Sequence, residues 1–386
     1  MNRLSFHPLT LLILTMIAFV FNFQKIAPST DIFKNILELT HKPKAIRLAL
    51  LLDTSNSMDG LIEQAKSQLW NITLELSQMR YGKDNVPDLY IALYEYGNDR
   101  LSGRKGFIRQ IVPFSSDMDL ISEKLFALRT DGGSEYCGMV IREALRELDW
   151  EDKDGGLKMI YIAGNEAFTQ GSVYYGGVCR DAHERDIVVN TIFCGDYQEG
   201  IRTSWKSGAD LAHGSYFNID MDRKTVYIPS PYDDRIEYLN RQLNDTYVPY
   251  GSEGMGFQEN QVQQDRNAKK IGIGNSVNRA VFKSSKMYKA ESWDLVDAYA
   301  ADESIIKKES ELPENIKQMS ENEIIAYLES KSKTRTSIQK EIGELQQKRQ
   351  EYIGTRENKA EEGNDLQQSV LETIRKQAKL KGFAYN

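Results

Sequence analysis

The sequence predicts an α/β fold: a doubly wound, mostly parallel sheet with one antiparallel edge strand, followed by a mainly helical C-terminal extension. Three observations carry this prediction. Short apolar runs alternate with amphipathic, helix-length segments between residues 46 and 219, the signature of successive strand–helix–strand units. The runs 88–96 and 107–114 are separated only by a polar link containing Gly97, Asn98, Asp99, Arg100, Gly103 and Gly106. So short a link cannot hold a crossover helix, and the two strands pair antiparallel at a sheet edge. After about residue 220 apolar runs become sparse, which ends the sheet pattern.

Taken in order, residues 46–52 form the first buried strand, and Leu61, Ala65, Leu69, Ile72, Leu76 and Met79 recur at the spacing of one helix face. After the antiparallel pair a helix spans 119–128, and Met139, Val140, Ala144, Leu145 and Leu148 mark the next. Residues 158–163, 187–194 and 215–219 complete the strands. Residues 232–244 then read as a helix. Gly251, Gly254, Gly256, Gly272 and Gly274 punctuate the polar stretch beyond it, with shorter helices expected at 277–288 and 292–300. In the tail, Ile338, Ile342, Leu345 and Tyr352 step by four, three and seven, as in a weak coiled coil, while Arg335 and Arg349 interrupt the stripe. Oligomerisation through that seam and solvated helices packing on one another are both open. The expected organisation is a targeting segment at 1–27, a linker at 28–44, the α/β domain at 45–222, a Gly-punctuated extension at 223–312 and a charged helical tail at 313–386.

Charge and targeting narrow the function. With 49 Lys and Arg against 56 Asp and Glu, the net charge is −7, which argues against a sequence-independent nucleic-acid binder. Arg3 and His7 precede an apolar segment at 9–21, the length of a signal-peptide core and short of a membrane span of about 20 residues. Export is expected, to the periplasm or cell envelope if the source is bacterial. Lys25 and Pro28 make Ala27 a poor cleavage site, so retention as a membrane tether stands beside removal. Cys137, Cys179 and Cys194 fit no zinc spacing. One disulfide with a spare thiol and three small buried residues are alternative readings.

The chemistry is concentrated at the end of the first strand. Asp53, Ser55 and Ser57 follow the apolar run at alternate positions, so all three can face one pocket and offer hard oxygen ligands to a divalent cation. Asp-x-Ser-x-Ser in this place resembles the metal-ion-dependent adhesion site of the von Willebrand factor type A family, over roughly residues 45–220. The resemblance implies that both Ser hydroxyls coordinate Mg²⁺, with Mn²⁺ or Ca²⁺ as alternatives, and that Asp53 often acts through water. Ser134, in the loop 131–138, falls where the family has a Thr ligand, and Glu135 beside it is a substitute ligand. After the strand at 158–163 the family commonly has Thr-Asp-Gly, where this chain has Ala163, Gly164, Asn165 and Glu166. Glu166 is the residue placed to replace the carboxylate missing at Gly164. The resemblance further implies a protein partner that presents an Asp or Glu to the open position of the ion, hence adhesion or protein–protein interaction.

Catalysis finds little support in the sequence. A strand-terminal Asp53 also suits a Mg²⁺-dependent phosphatase, but the second Asp that such chemistry needs is Ser55 here. HExxH, GxSxG and GxxxxGK[ST] do not occur, and His183 reads as a surface histidine. The expected protein is therefore a non-enzymatic binder. A scaffold with a degenerate metal site, interacting through its helical C-terminal region, is the alternative. Phe168, Tyr174 and Tyr175 near the third loop are expected either to form an interaction rim or to pack that loop down.

Overall fold

The computed structural model describes residues 44–151, 155–219, 227–357 and 365–385. These fall in one compact unit, Pro43–Asn386. The expected targeting segment lies outside the described residues.

The sheet region runs β1 (Ala45–Asp53), α1 (Asp59–Ser77), β2 (Met79–Tyr81), β3 (Asp88–Tyr96), β4 (Ile108–Ser115), α2 (Met118–Ala127), α3 (Cys137–Glu147), β5 (Leu157–Gly164), α4 (Tyr175–Glu184), β6 (Val188–Cys194), α5 (Tyr197–Arg202), α6 (Trp205–Leu211) and β7 (Tyr216–Ile219). It continues as α7 (Asp233–Asn244), α8 (Gly254–Ile271), α9 (Ile273–Lys283), α10 (Leu295–Ala301), α11 (Glu314–Lys317), α12 (Glu321–Glu357), α13 (Asp365–Leu380) and β8 (Phe383–Tyr385). The main sheet has the order β4-β3-β1-β5-β6-β7, with β4 antiparallel and the other pairs parallel. The doubly wound sheet with one antiparallel edge strand is thus as expected. Its order reverses at β1, which puts the crevice that such sheets use for ligands beyond the ends of β1 and β5.

Period-two alternation divides the core. Ile46, Leu48, Leu50 and Leu52 of β1 lie in one apolar cluster with α1 and α2 residues, whereas Ala49 and Leu51 lie in the other with α3, α4 and α6 residues. The first cluster also holds Val370, Ile374 and Ala378 of α13 and Phe383 of β8. β8 then pairs antiparallel with β2. The last helix of the chain therefore covers the first face of the sheet, beside β7 and α1, and residues 227–357 intervene between β7 and this closing helix.

Of those intervening helices, α8 packs on α1 and α2 and α9 on α1, while α7 and α12 pack on one another and on α9, and α10 packs on α12. Helix α8, in the stretch expected to be glycine-broken and polar, runs unbroken for 18 residues. Helix α9 ends at Lys283, short of the expected 288. The aliphatic stripe of the tail is used inside this chain: Ile338 and Ile342 of the 37-residue α12 join Ile236, Leu243, Val277 and Trp293 in one cluster. Its interrupting arginines turn inward, Arg335 pairing with Asp294 at 2.7 Å and Arg349 with Asp233 at 2.9 Å. The three cysteines are buried and unbonded.

Candidate metal centre

Strand register assembles the site. Asp53 stands opposite Tyr96 across the β1–β3 ladder, and the adjacent pair Leu52–Ala163 sets Gly164 beside it on the β5 side. Three backbone bonds then fix the loops: Thr54 N–H donates to the Tyr96 carbonyl at 2.9 Å, Asn56 N–H to Gly132 at 3.0 Å and Asp131 N–H to Thr54 at 2.9 Å. The short 3-10 turn Asn56–Met58 leads into α1. Within this frame Asp53 Oδ1 accepts from the Ser55 N–H at 2.7 Å, and the Ser55 and Ser57 hydroxyls lie 3.1 Å apart. Asp53 and Ser55 are buried and Ser57 is exposed, so the site opens on the Ser57 side.

The second acid is Glu135. Its side chain is 2% exposed and contacts the Asp53 carboxyl and the Ser55 hydroxyl. Its N–H donates to Gln170 Oε1 at 2.8 Å. Gly97 makes the approach feasible: its φ is +79°, and a Cβ there would stand 2.6 Å from Asp53 Oδ1 and 2.8 Å from Glu135 Cγ. Neither Asp53 Oδ2 nor Glu135 Oε2 meets a hydrogen-bond donor, although both are buried. Two carboxyl groups in contact without a donor between them need a shared proton or a cation. Burial first, then the neighbouring Glu135, pushes Asp53 well above the ordinary carboxylate range; burial likewise raises Glu135.

A carboxyl whose folded pKa is raised stabilises the fold fully below its unfolded pKa, here near 3.8 for Asp53 and 4.5 for Glu135. That stability is lost as pH rises towards the raised folded values. In chelator, urea midpoints of the native chain should fall from pH 5 to pH 8, and Glu135→Gln should flatten the slope. A slope unchanged by Glu135→Gln would remove the pair as its cause.

Gly164 is explained by what surrounds it. A Cβ there would meet the Tyr96 hydroxyl at 2.5 Å, Trp205 at 3.1 Å and Asp53 Oδ2 at 3.2 Å. Tyr96 itself is buried and donates to the Ala163 carbonyl at 3.0 Å. The family's strand-end Asp therefore has no room in this chain. Gly164→Asp should cost about 1–3 kcal/mol through overpacking and a further buried like charge, without strengthening cation binding. Urea titration in chelator checks this, and a stabilised variant would contradict it.

The remaining expected residues are placed as follows. Ser134 bridges Gly97 through its backbone, next to Glu135. Glu166 is exposed; its carbonyl accepts from Trp205 Nε1 at 2.7 Å, and its N–H meets the Glu135 carboxyl. Asn165 is brought to the site instead, its Oδ1 accepting from the Ser57 hydroxyl at 3.2 Å. Among the described residues no three His, Cys, Asp or Glu side chains converge; the side-chain oxygens beside the acid pair are the hydroxyls of Ser55 and Ser57, with the Asn165 amide bonded to Ser57. Two buried carboxylates with unpartnered oxygens, flanked by two hydroxyls, fit a hard cation. The aromatics divide: Phe168 is buried edge-on to Trp205 at 4.9 Å and Tyr175 at 5.4 Å, while Tyr174 is 64% exposed. His183 is exposed and stacks on His213 at 3.9 Å.

The strand order and the strand-end Asp resemble those of a von Willebrand factor type A domain. No protein-family model and no curated protein matches the chain. Among solved structures, BatB from Bacteroides thetaiotaomicron is 15% identical at a TM-score of 0.35, covering 46% of this chain and 91% of that one. The SpRpn10 VWA domain is 11% identical at 0.34, covering 47% and 90%. Proximal thread matrix protein 1 from the mussel byssus, with a zinc-occupied MIDAS motif, is 12% identical at 0.34. That match spans 47% of this chain and 43% of the byssus protein.

Proposed function

We propose that this chain is an exported protein-interaction domain that holds a divalent cation, Mg²⁺ in the first instance, at Asp53, Glu135, Ser55 and Ser57. The observation that carries the reading is the pair of buried, unpartnered carboxylate oxygens on Asp53 and Glu135. Asn165 orients Ser57 on the open side, and Ser134 adjoins through the same loop. The carboxylate missing at Gly164 is supplied from position 135 rather than from Glu166. When bound, the cation supplies an electrophilic centre that accepts a carboxylate oxygen from a partner's Asp or Glu. The exposed Tyr174, on the loop whose Gly171 packs against Tyr136, offers an aromatic contact to such a partner. The apolar segment at 9–21 supports export.

The test is capture of envelope proteins by the full chain, with and without EDTA, beside Asp53→Ala. A partner retained by the native chain, released by EDTA and absent from the variant supports the reading. A partner retained equally by all three would overturn it and favour a scaffold acting through the C-terminal helices.

A further inference from the structure

A cavity of about 700 Å³ lies far along α1 from the metal centre, bounded by α1, the start of α9, α12 and α13. Its size is that of a small-molecule site. Its lining is rich in carboxamides, among them Asn71, Gln78, Asn275, Asn278, Gln346 and Gln350. Asn278 donates to Asn71 at 2.5 Å and Gln350 to Gln78 at 3.4 Å, while Asn275 donates to the Ser67 hydroxyl at 3.4 Å. Asn275 Oδ1 and Gln346 Oε1 are buried acceptors with no donor, and Gln346 is 6% exposed. Unsatisfied amide oxygens of this kind mark a ligand or water that donates to them.

Charge decides the class. The two cations that line the cavity are already compensated, Arg349 by Asp233 at 2.9 Å and Arg375 by both oxygens of Glu75 at 2.7 and 2.9 Å. An anion therefore finds no free cation there. Helix α9 also begins at the cavity, and Gly272 before it provides no side-chain cap. Its first-turn N–H groups thus seek acceptors while Gln346 and Asn275 seek donors. A hydroxyl satisfies both kinds of group, and Leu74, Ile353 and Leu371 offer apolar wall for a ring face. We propose that this cavity binds a neutral, polyhydroxylated small molecule of one or two sugar rings.

The experiment is saturation-transfer NMR and calorimetry on the full chain with glucose, N-acetylglucosamine, maltose and sucrose as probes, and phosphate and citrate as anionic controls. The expected result is saturable binding of at least one neutral probe, weakened tenfold or more by Gln346→Leu and unaffected by Asp53→Ala. Gly354→Phe gives an independent check, because a Cβ at Gly354 meets open space and the ring would fill the cavity without removing any polar group. It should abolish binding in a folded protein. Failure of every neutral probe to saturate, preference for phosphate or citrate, or binding indifferent to both cavity variants would overturn the assignment.

Discussion

Removal of residues 365–386 should abolish cooperative unfolding of the α/β domain. Helix α13 and β8 bring Val370, Ile374, Ala378 and Phe383 into the same apolar cluster as β1, β5 and β7. Full burial of a large apolar side chain contributes about 1.5–3 kcal/mol, so three of them approach the whole stability of an ordinary domain, about 5–15 kcal/mol. Polar contacts would be lost with them. Arg375 grips Glu75 through two bonds, and the Gln377 amide donates to buried Asn190 at 2.8 Å while accepting from it at 3.2 Å. The truncated chain should bind a hydrophobic dye and show a broad urea transition. A sharp, native-like transition would mean that α13 merely leans on the sheet. For the same reason, deleting everything after residue 220 is not a clean way to separate metal-dependent from helix-dependent binding, and point variants in the full chain are required.

Arg279→Ala should destabilise the protein by about 3–5 kcal/mol, the cost of breaking one side of a buried ion pair. Arg279 is fully buried over the Trp70 ring at 4.7 Å, and it pairs with Asp119 of α2 at 2.7 Å and Asp265 of α8 at 2.6 Å. Burial alone would raise Asp265, but Lys283 and Arg279 outweigh it and hold that carboxyl well below the usual range. Without the guanidinium, Asp119 keeps the Tyr288 hydroxyl, at 2.6 Å, as its buried side-chain partner among the described residues. Urea unfolding of native and variant chains measures the effect. A loss below about 1 kcal/mol would show that α8 and α9 are held to the sheet domain by their apolar contacts alone.

The parts of this architecture legible in the sequence were those governed by apolar periodicity. Strand β3 matches its expected bounds, Asp88–Tyr96, and β1 ends on the motif Asp. Helix α8 was not legible because its buried face is polar: Gln261 and Gln264 lie inward, bonded to Tyr288 at 2.9 Å and accepting from Ser122 at 2.9 Å. A search for an apolar stripe passes over such a helix. Arg335 and Arg349 looked like breaks in a seam because inward-facing charges are rare, yet each has its acid waiting. Helix α13 was hidden within a charged tail, its Val370, Ile374 and Ala378 spaced by four. In the site, Asp53, Ser55 and Ser57 could be read from one strand end. Glu135 could be read only as a substitute for its neighbour Ser134; its contact with Asp53 could not, since that depends on the left-handed Gly97 and on pairing between segments about 40 residues apart in sequence. Glu166 was the natural candidate by proximity to Gly164, but the loop spends its backbone on Trp205 and Glu135 and leaves that side chain outside.

Calorimetric titration of Mg²⁺ and Mn²⁺ into the metal-free full chain at pH 7.5 measures cation occupancy of the Asp53–Glu135 pair. One cation per chain should bind, with proton release that grows as pH is lowered, since the cation displaces whatever proton the raised Asp53–Glu135 pair holds. Asp53→Ala should abolish the signal, and Glu135→Gln should weaken affinity by about tenfold or more through the loss of one ligand charge. Equal binding by the native chain and both variants, or no binding by the native chain, would contradict the account.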